Sequence, residues 1–181
     1  MFRVFRAYLN HVTKAKVHIC QVPVEQIRPL RHRILRAGMP PESAHFDGDH
    51  AATSLHLAAF EPDGLGPSET KMVACLSLML NSFNNEPAWQ LRGMAVDEAH
   101  QRSGFGKELL ASAEQFVADE GKADWLWCNA RVPAAGFYQK QGWTIVSDIF
   151  EIPTAGPHLK MSKKLNHPKP CETVEKAGVK R

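Results

Sequence analysis

Apolar and polar positions divide the chain into short runs separated by turn-forming residues, and the spacing of the apolar positions changes partway along. Val17 to Val22 is a β-rich run that Pro23 closes. In IRPLRHRILRAG, Leu30, Ile34 and Leu35 fall on one side, Pro29 suits a first turn, and Gly38 stands past the end, which predicts a short helix. Pro40 and Pro41 then open a polar loop. TSLHLAAF and MVACLSLML predict two strands joined by the turn chemistry of EPDGLGPSE, and WQLRGMAV predicts a third after the loop NSFNNEP. Strands in such quick succession argue for an antiparallel meander.

After Val96 the period becomes helical. In GKELLASAEQFVADEG, Leu109, Leu110, Ala113, Phe116 and Val117 recur at helix spacing, and Gly121 stands where the helix should stop. DWLWCNA predicts a buried strand, PAAGFYQKQG a short helix ending at Gly142, WTIVSDIFEI a strand, and HLKMSKKL a final edge strand. Helices and strands alternating after a meander predict an α/β fold: a mixed, mainly antiparallel central sheet of about six to seven strands flanked by helices. Residues 1–16 form a basic N-terminal extension, 17–165 the folded domain, and 166–181 a polar, proline-bearing tail expected to be disordered.

Composition narrows the picture. A chain of 181 residues with 44% hydrophobic content can bury one sizeable core, so one domain is expected. The 22 basic and 19 acidic residues are interspersed, too balanced for nucleic acid to be the main partner. Cys20, Cys75, Cys128 and Cys171 form no CxxC pair and mostly sit in apolar runs, which fits a reducing, cytoplasmic setting. No window approaches the length of a membrane-spanning helix, and the start lacks the apolar block of a secretory signal. That start is basic and free of acids, so an organelle-targeting role stays open as an alternative.

The strand WQLRGMAV runs into DEAHQRSGFGKELL, which places Gly104 and Gly106 where the long helix begins. A helix N-terminus is an anion site because its free amides point outward with partial positive charge, and glycine lets a phosphate approach the backbone. Arg102 and Lys107 add full charges beside it. A dinucleotide fingerprint would require glycine at position 109, which is Leu109, and a Walker loop would require Ser or Thr after Lys107, where Glu108 stands.

The pattern that does match is Gln/Arg-x-x-Gly-x-Gly/Ala, present as Gln101, Arg102, Ser103, Gly104, Phe105 and Gly106. It resembles the pyrophosphate loop of the GNAT superfamily of acyl-CoA-dependent N-acyltransferases, and the order of strands and helices resembles that superfamily over residues 17–165. The resemblance implies acetyl-CoA as cosubstrate. It implies that the backbone of Met94, Ala95 and Val96 pairs with the pantetheine arm, as an added strand would. The turn from Gln101 through Lys107 would hold the pyrophosphate, Asn129 would meet the pantetheine, and Tyr138 would face the sulfur and serve the departing thiolate. Phe137 reads as packing.

The attacking amine must be neutral, which calls for a base. Some superfamily members carry an acid on the strand before the loop; here Gln90 and Arg92 stand there. The remaining candidates for base or acceptor wall are His56, Glu86, Glu151 and His158. The last two lie in FEIPTAGPHLKM, which resembles a subgroup of small bacterial members of unassigned substrate. The segment HFDGDHAATSLH gathers His45, Asp47, Asp49 and His50, yet its spacing fits no zinc or calcium motif, so no metal is expected; Asp47 or Asp49 could instead attract a cationic amine.

The expected activity is therefore N-acetylation of a small-molecule or peptide amine by direct attack in a ternary complex, since no cysteine shows the neighbours of a nucleophile. The alternative is a catalytically silent acyl-CoA-binding sensor or partner module. Pairing of C-terminal edge strands offers a route to a homodimer.

Overall fold

A computed structural model describes residues 17–61 and 71–165. The expected N-terminal extension and C-terminal tail, Cys171, and most of EPDGLGPSE lie outside the described residues. The strands are β1 (His18–Gln21), β2 (Ser54–Phe60), β3 (Met72–Phe83), β4 (Glu86–Val96), β5 (Trp125–Arg131), β6 (Thr144–Ile145), β7 (Phe150–Ile152) and β8 (Gly156–Lys164). The helices are α1 (Val24–Leu35), α2 (Phe105–Glu120) and α3 (Ala135–Lys140). Sheet order is β1-β2-β3-β4-β5-β8-β6, with β7 also on β8; every pairing is antiparallel except β4 with β5.

The continuous apolar runs of β2 and β3 follow from burial on both faces. Leu57, Ala59, Ala74 and Leu76 join the cluster that includes Leu109, Leu110, Ala113 and Val117 of α2. The alternate residues Ala58 and Cys75 join Val24, Ile27 and Leu30 of α1. The two helices thus cover opposite sides of one sheet.

The structure corrects the sequence reading at four elements. Helix α1 starts at Val24 with Pro23 as N-cap, so Pro29 lies inside it, exposed, rather than in its first turn. The expected loop NSFNNEP is mostly strand: β3 and β4 extend to a two-residue turn at Asn84 (φ 51) and Asn85 (φ 65), the left-handed pair a tight hairpin requires. The run WTIVSDIFEI is broken into β6 and β7, leaving Val146 and Ile149 exposed at 43% and 61% between them. Strand β8 lies between β5 and the β6–β7 edge, so it is interior, and β6 and β7 rather than β8 form that edge of the sheet.

Candidate active site

The site begins with a break in sheet pairing. Strand β4 pairs with β5 only from Ala88↔Trp125 to Leu91↔Cys128, after which the two strands part. The cause is local. Along β4 the register with β3 runs Ser77↔Arg92 and then Cys75↔Ala95, so Gly93 and Met94 together oppose Leu76, a β-bulge that bends the strand. Gly93 has φ +57, and a Cβ there would lie 2.8 Å from Arg31 Nε and 2.9 Å from Phe46 Cε2. Only glycine suits that backbone and that gap.

Two cavities meet in the opening. The first, about 310 Å³, is lined by the parted strand ends together with Arg36, Phe46 and the β7–β8 turn. The second, about 580 Å³, runs along Met94, Ala95 and Val96 to the start of α2. Met94, Ala134 and Tyr138 line both.

Most of the residues expected to hold a cofactor come together in the second cavity. Met94, Ala95, Val96, Gln101, Arg102, Gly104, Gly106 and Lys107 line it. Gly104 is the N-cap of α2 with φ 97 and supplies no side-chain hydrogen bond to the first turn. The first helical bond is Glu108 N–H to Gly104 O at 3.1 Å, which leaves the amides of Phe105, Gly106 and Lys107 free for an anion. Arg102, at φ 64, also sits in the left-handed region, a strain that clusters at functional turns. Ser103 is exposed in the turn, and Phe105 sets its ring edge-on to His100 at 5.6 Å, so neither side chain lines the cavity. Asn129 lies in the first cavity instead.

Tyr138 is buried at the neck. Its ring packs 5.3 Å from Trp143, whose Nε1–H donates to Glu114 Oε1 of α2 at 2.9 Å. Its hydroxyl donates to Met94 Sδ at 3.6 Å. Burial, with the Cys128 thiol beside it, holds the phenol pKa well above 10, so it keeps its proton. Burial likewise pushes Cys128 up to about 12, despite a hydrogen bond with Tyr138, and Cys75 up to about 12. Neither thiol is a nucleophile at neutral pH.

Of the four candidates for base or acceptor wall, the structure brings one into the site. His158 lines the first cavity, and its Nδ1 donates to Gly156 O at 2.7 Å, leaving Nε2 as an acceptor. Glu86 is exposed at the β3–β4 hairpin, and Glu151 is exposed on β7; neither lines a cavity. His56 is a core group: Nε2–H donates to Asp49 O at 2.9 Å, and Nδ1 accepts from Ser77 Oγ at 2.7 Å. Ser77 Oγ in turn accepts from Arg31 Nη2 at 2.5 Å, and Arg31 Nη1 reaches Asp49 Oδ2 at 2.6 Å. Asp49 therefore belongs to a buried ion pair, and Asp47 accepts from Arg92 through its carbonyl while its carboxylate attracts that guanidinium at longer range. Neither carboxylate lines the first cavity. Three residues the sequence reading did not assign do line it: Arg36, Arg92 and Arg131.

Residues 31–143 match the model of the acetyltransferase (GNAT) family, and the chain belongs to that family. The uncharacterized N-acetyltransferase YitI of Bacillus subtilis (strain 168) is 37% identical over 145 residues, covering 80% of this chain and 93% of that protein. Among solved structures, Escherichia coli ElaA superposes with TM-score 0.60 at 15% identity, over 82% of this chain and 100% of that one. An aminoglycoside 6'-N-acetyltransferase complexed with coenzyme A superposes with TM-score 0.62 at 14% identity, over 85% and 99%. At such identities the likeness is one of fold. Among the described residues, no helix is long and apolar enough to cross a membrane.

Proposed function

We propose that this protein moves an acetyl group from acetyl-CoA to a primary amine by direct attack in a ternary complex. The observation that carries the reading is Tyr138, a protonated phenol at the neck where a cavity ending in a helix N-terminus meets a second, separate cavity. The residues present fit the cosubstrate: free amides with Arg102 and Lys107 for phosphates, and the side of β4 from Met94 to Val96 that has parted from β5 for an extended amide-bearing arm. The thioester carbonyl would then lie near the neck, with the amine entering from the first cavity.

The amine nitrogen attacks the carbonyl carbon, a C–N bond forms, and the C–S bond breaks. His158 Nε2 takes the proton the amine sheds, and Tyr138 gives its proton to the departing sulfur; solvent exchange returns one proton from His158 to Tyr138. The high pKa of Cys128 supports direct attack over an acetyl-cysteine route. The test is incubation with acetyl-CoA and a broad amine panel, following thiol release and acetylated product by mass spectrometry. The reading requires thiol and N-acetyl product in equal amounts; acetylation of Cys128 itself would contradict it.

A further inference from the structure

We propose that the first cavity takes a primary amine that also carries an anionic group, a carboxylate or a phosphate, held by Arg36, Arg92 and Arg131. The proposal rests on reading the two cavities as acceptor and cosubstrate sites. The three arginines come from the end of α1, the bulged part of β4 and the end of β5, and all line the same cavity. No Asp or Glu lines it.

Their hydrogen bonds go to carbonyl oxygens, and carboxylates reach them only through the longer-range attraction of Asp49 and Asp47 for Arg92. Arg36 Nη1 donates to Leu35 O at 3.1 Å, Arg131 Nη2 to the same carbonyl at 2.6 Å, and Arg92 Nη1 to Asp47 O. Arginines of the adjoining helix are treated differently. Arg28, Arg31 and Arg33 each have a carboxylate, from Glu25, Asp49 and Asp97 at 3.7, 2.6 and 2.5 Å. Burial first, and then the nearby charges of Arg131 and Arg31, depress the Arg36 pKa; a bound anion would offset the second of these causes. Phe46 forms a platform: the Arg36 and Arg92 guanidinium carbons each lie 5.4 Å from its ring centroid.

The cosubstrate's phosphates do not account for this cluster. Arg102 and Lys107 serve the second cavity, and none of the three arginines lines it. Two consequences follow for the acceptor. Polycationic amines are repelled, whereas a carboxylate or phosphate finds forked donors that match its geometry. The same positive field disfavours the ammonium form of the bound amine and so favours the neutral nucleophile.

The experiment is thermal unfolding at constant ionic strength, first with saturating CoA to fill the second cavity, then with malonate or inorganic phosphate added. With the anion in about tenfold excess over its dissociation constant, the midpoint should rise a further 3 to 6 °C or so in the wild type, and the rise should be lost in Arg92→Gln and Arg131→Gln. The CoA-induced rise in each variant reports that its fold is intact. A response to malonate alone assigns a carboxylate, and one to phosphate alone a phosphate. No anion response under saturating CoA, or one undiminished in both variants, overturns the proposal. Absence of any CoA-induced rise in the wild type overturns the proposed function, and this inference falls with it.

Discussion

The Tyr138 hydroxyl stands 3.6 Å from Met94 Sδ, joining α3 to β4 across the gap where β4 has parted from β5. The contact places a protonated phenol at the one point shared by both cavities. The bulge at Gly93 opens the gap, and the packing of Trp143 against Tyr138 fixes how far the phenol reaches into it.

Replacing Tyr138 with Phe removes the hydroxyl proposed as proton donor and leaves the ring packing. The expected result is a fall in kcat of about 10²-fold or more with little change in acetyl-CoA affinity. Because burial raises the Tyr138 pKa well above 10, the wild-type rate should show no loss from this group as pH rises from about 8 to 10. Steady-state pH profiles of both proteins check this.

His158→Gln should lower kcat by roughly 10²-fold, since the glutamine amide cannot take the proton the amine sheds. Glu86→Gln and Glu151→Gln, at exposed positions that line neither cavity, should leave kcat within about twofold of wild type. Activity lost in either Glu variant would move the base elsewhere.

Gly106 tolerates little growth, because a Cβ there would lie 3.3 Å from Val96 Cγ2 and 3.4 Å from Met94 Cε. Gly106→Val should push into the second cavity and raise the acetyl-CoA dissociation constant by tenfold or more, about 1.4 kcal/mol. Fluorescence titration with acetyl-CoA measures it.

Stability should fall on acidification in two stages. Burial holds His56 below its ordinary 6.5, so the unfolded chain takes up the proton first and stability present above about pH 6.5 is lost as pH drops through the folded value. The hydrogen bonds explain the cost: a protonated His56 would face Ser77 Oγ, already bonded by Arg31, with a second donor. Asp49 adds a later loss. Burial raises its pKa, but the bonds from Arg31 and the Phe46 amide outweigh that and set it below 3.8. Removing the buried partner in Asp49→Ala should cost about 3 to 5 kcal/mol at neutral pH. Urea unfolding from about pH 8 down to about pH 2 reads both effects.

Much of the second cavity's lining was legible in the sequence because it is local. Gln101, Arg102, Gly104 and Gly106 lie within one turn, and a turn between strand and helix has few geometries. The helix α2 and the buried strands β2 and β3 were equally plain from apolar spacing. The first cavity's basic lining was not legible. Arg36, Arg92 and Arg131 are far apart in the chain and meet only because α1 crosses the sheet where β4 bends and β5 ends. The role of Asp49 was hidden for the same reason: its partner Arg31 reads, in sequence, as one more basic residue on a helix. The break between β6 and β7 falls at Ser147 and Asp148, a turn-favouring pair that the β-rich residues on either side outweighed in the sequence reading.

The most direct test of the account is isothermal titration of acetyl-CoA into the wild type and Gly104→Asp. Gly104 has a left-handed backbone, and nothing lies within 4 Å of its missing Cβ, so aspartate there both strains the turn and sets a carboxylate beside the amides of α2. The account predicts saturable binding by the wild type and at least about a hundredfold loss, roughly 2.7 kcal/mol, in the variant. Equal affinity in the two proteins, or no binding by the wild type, would contradict it.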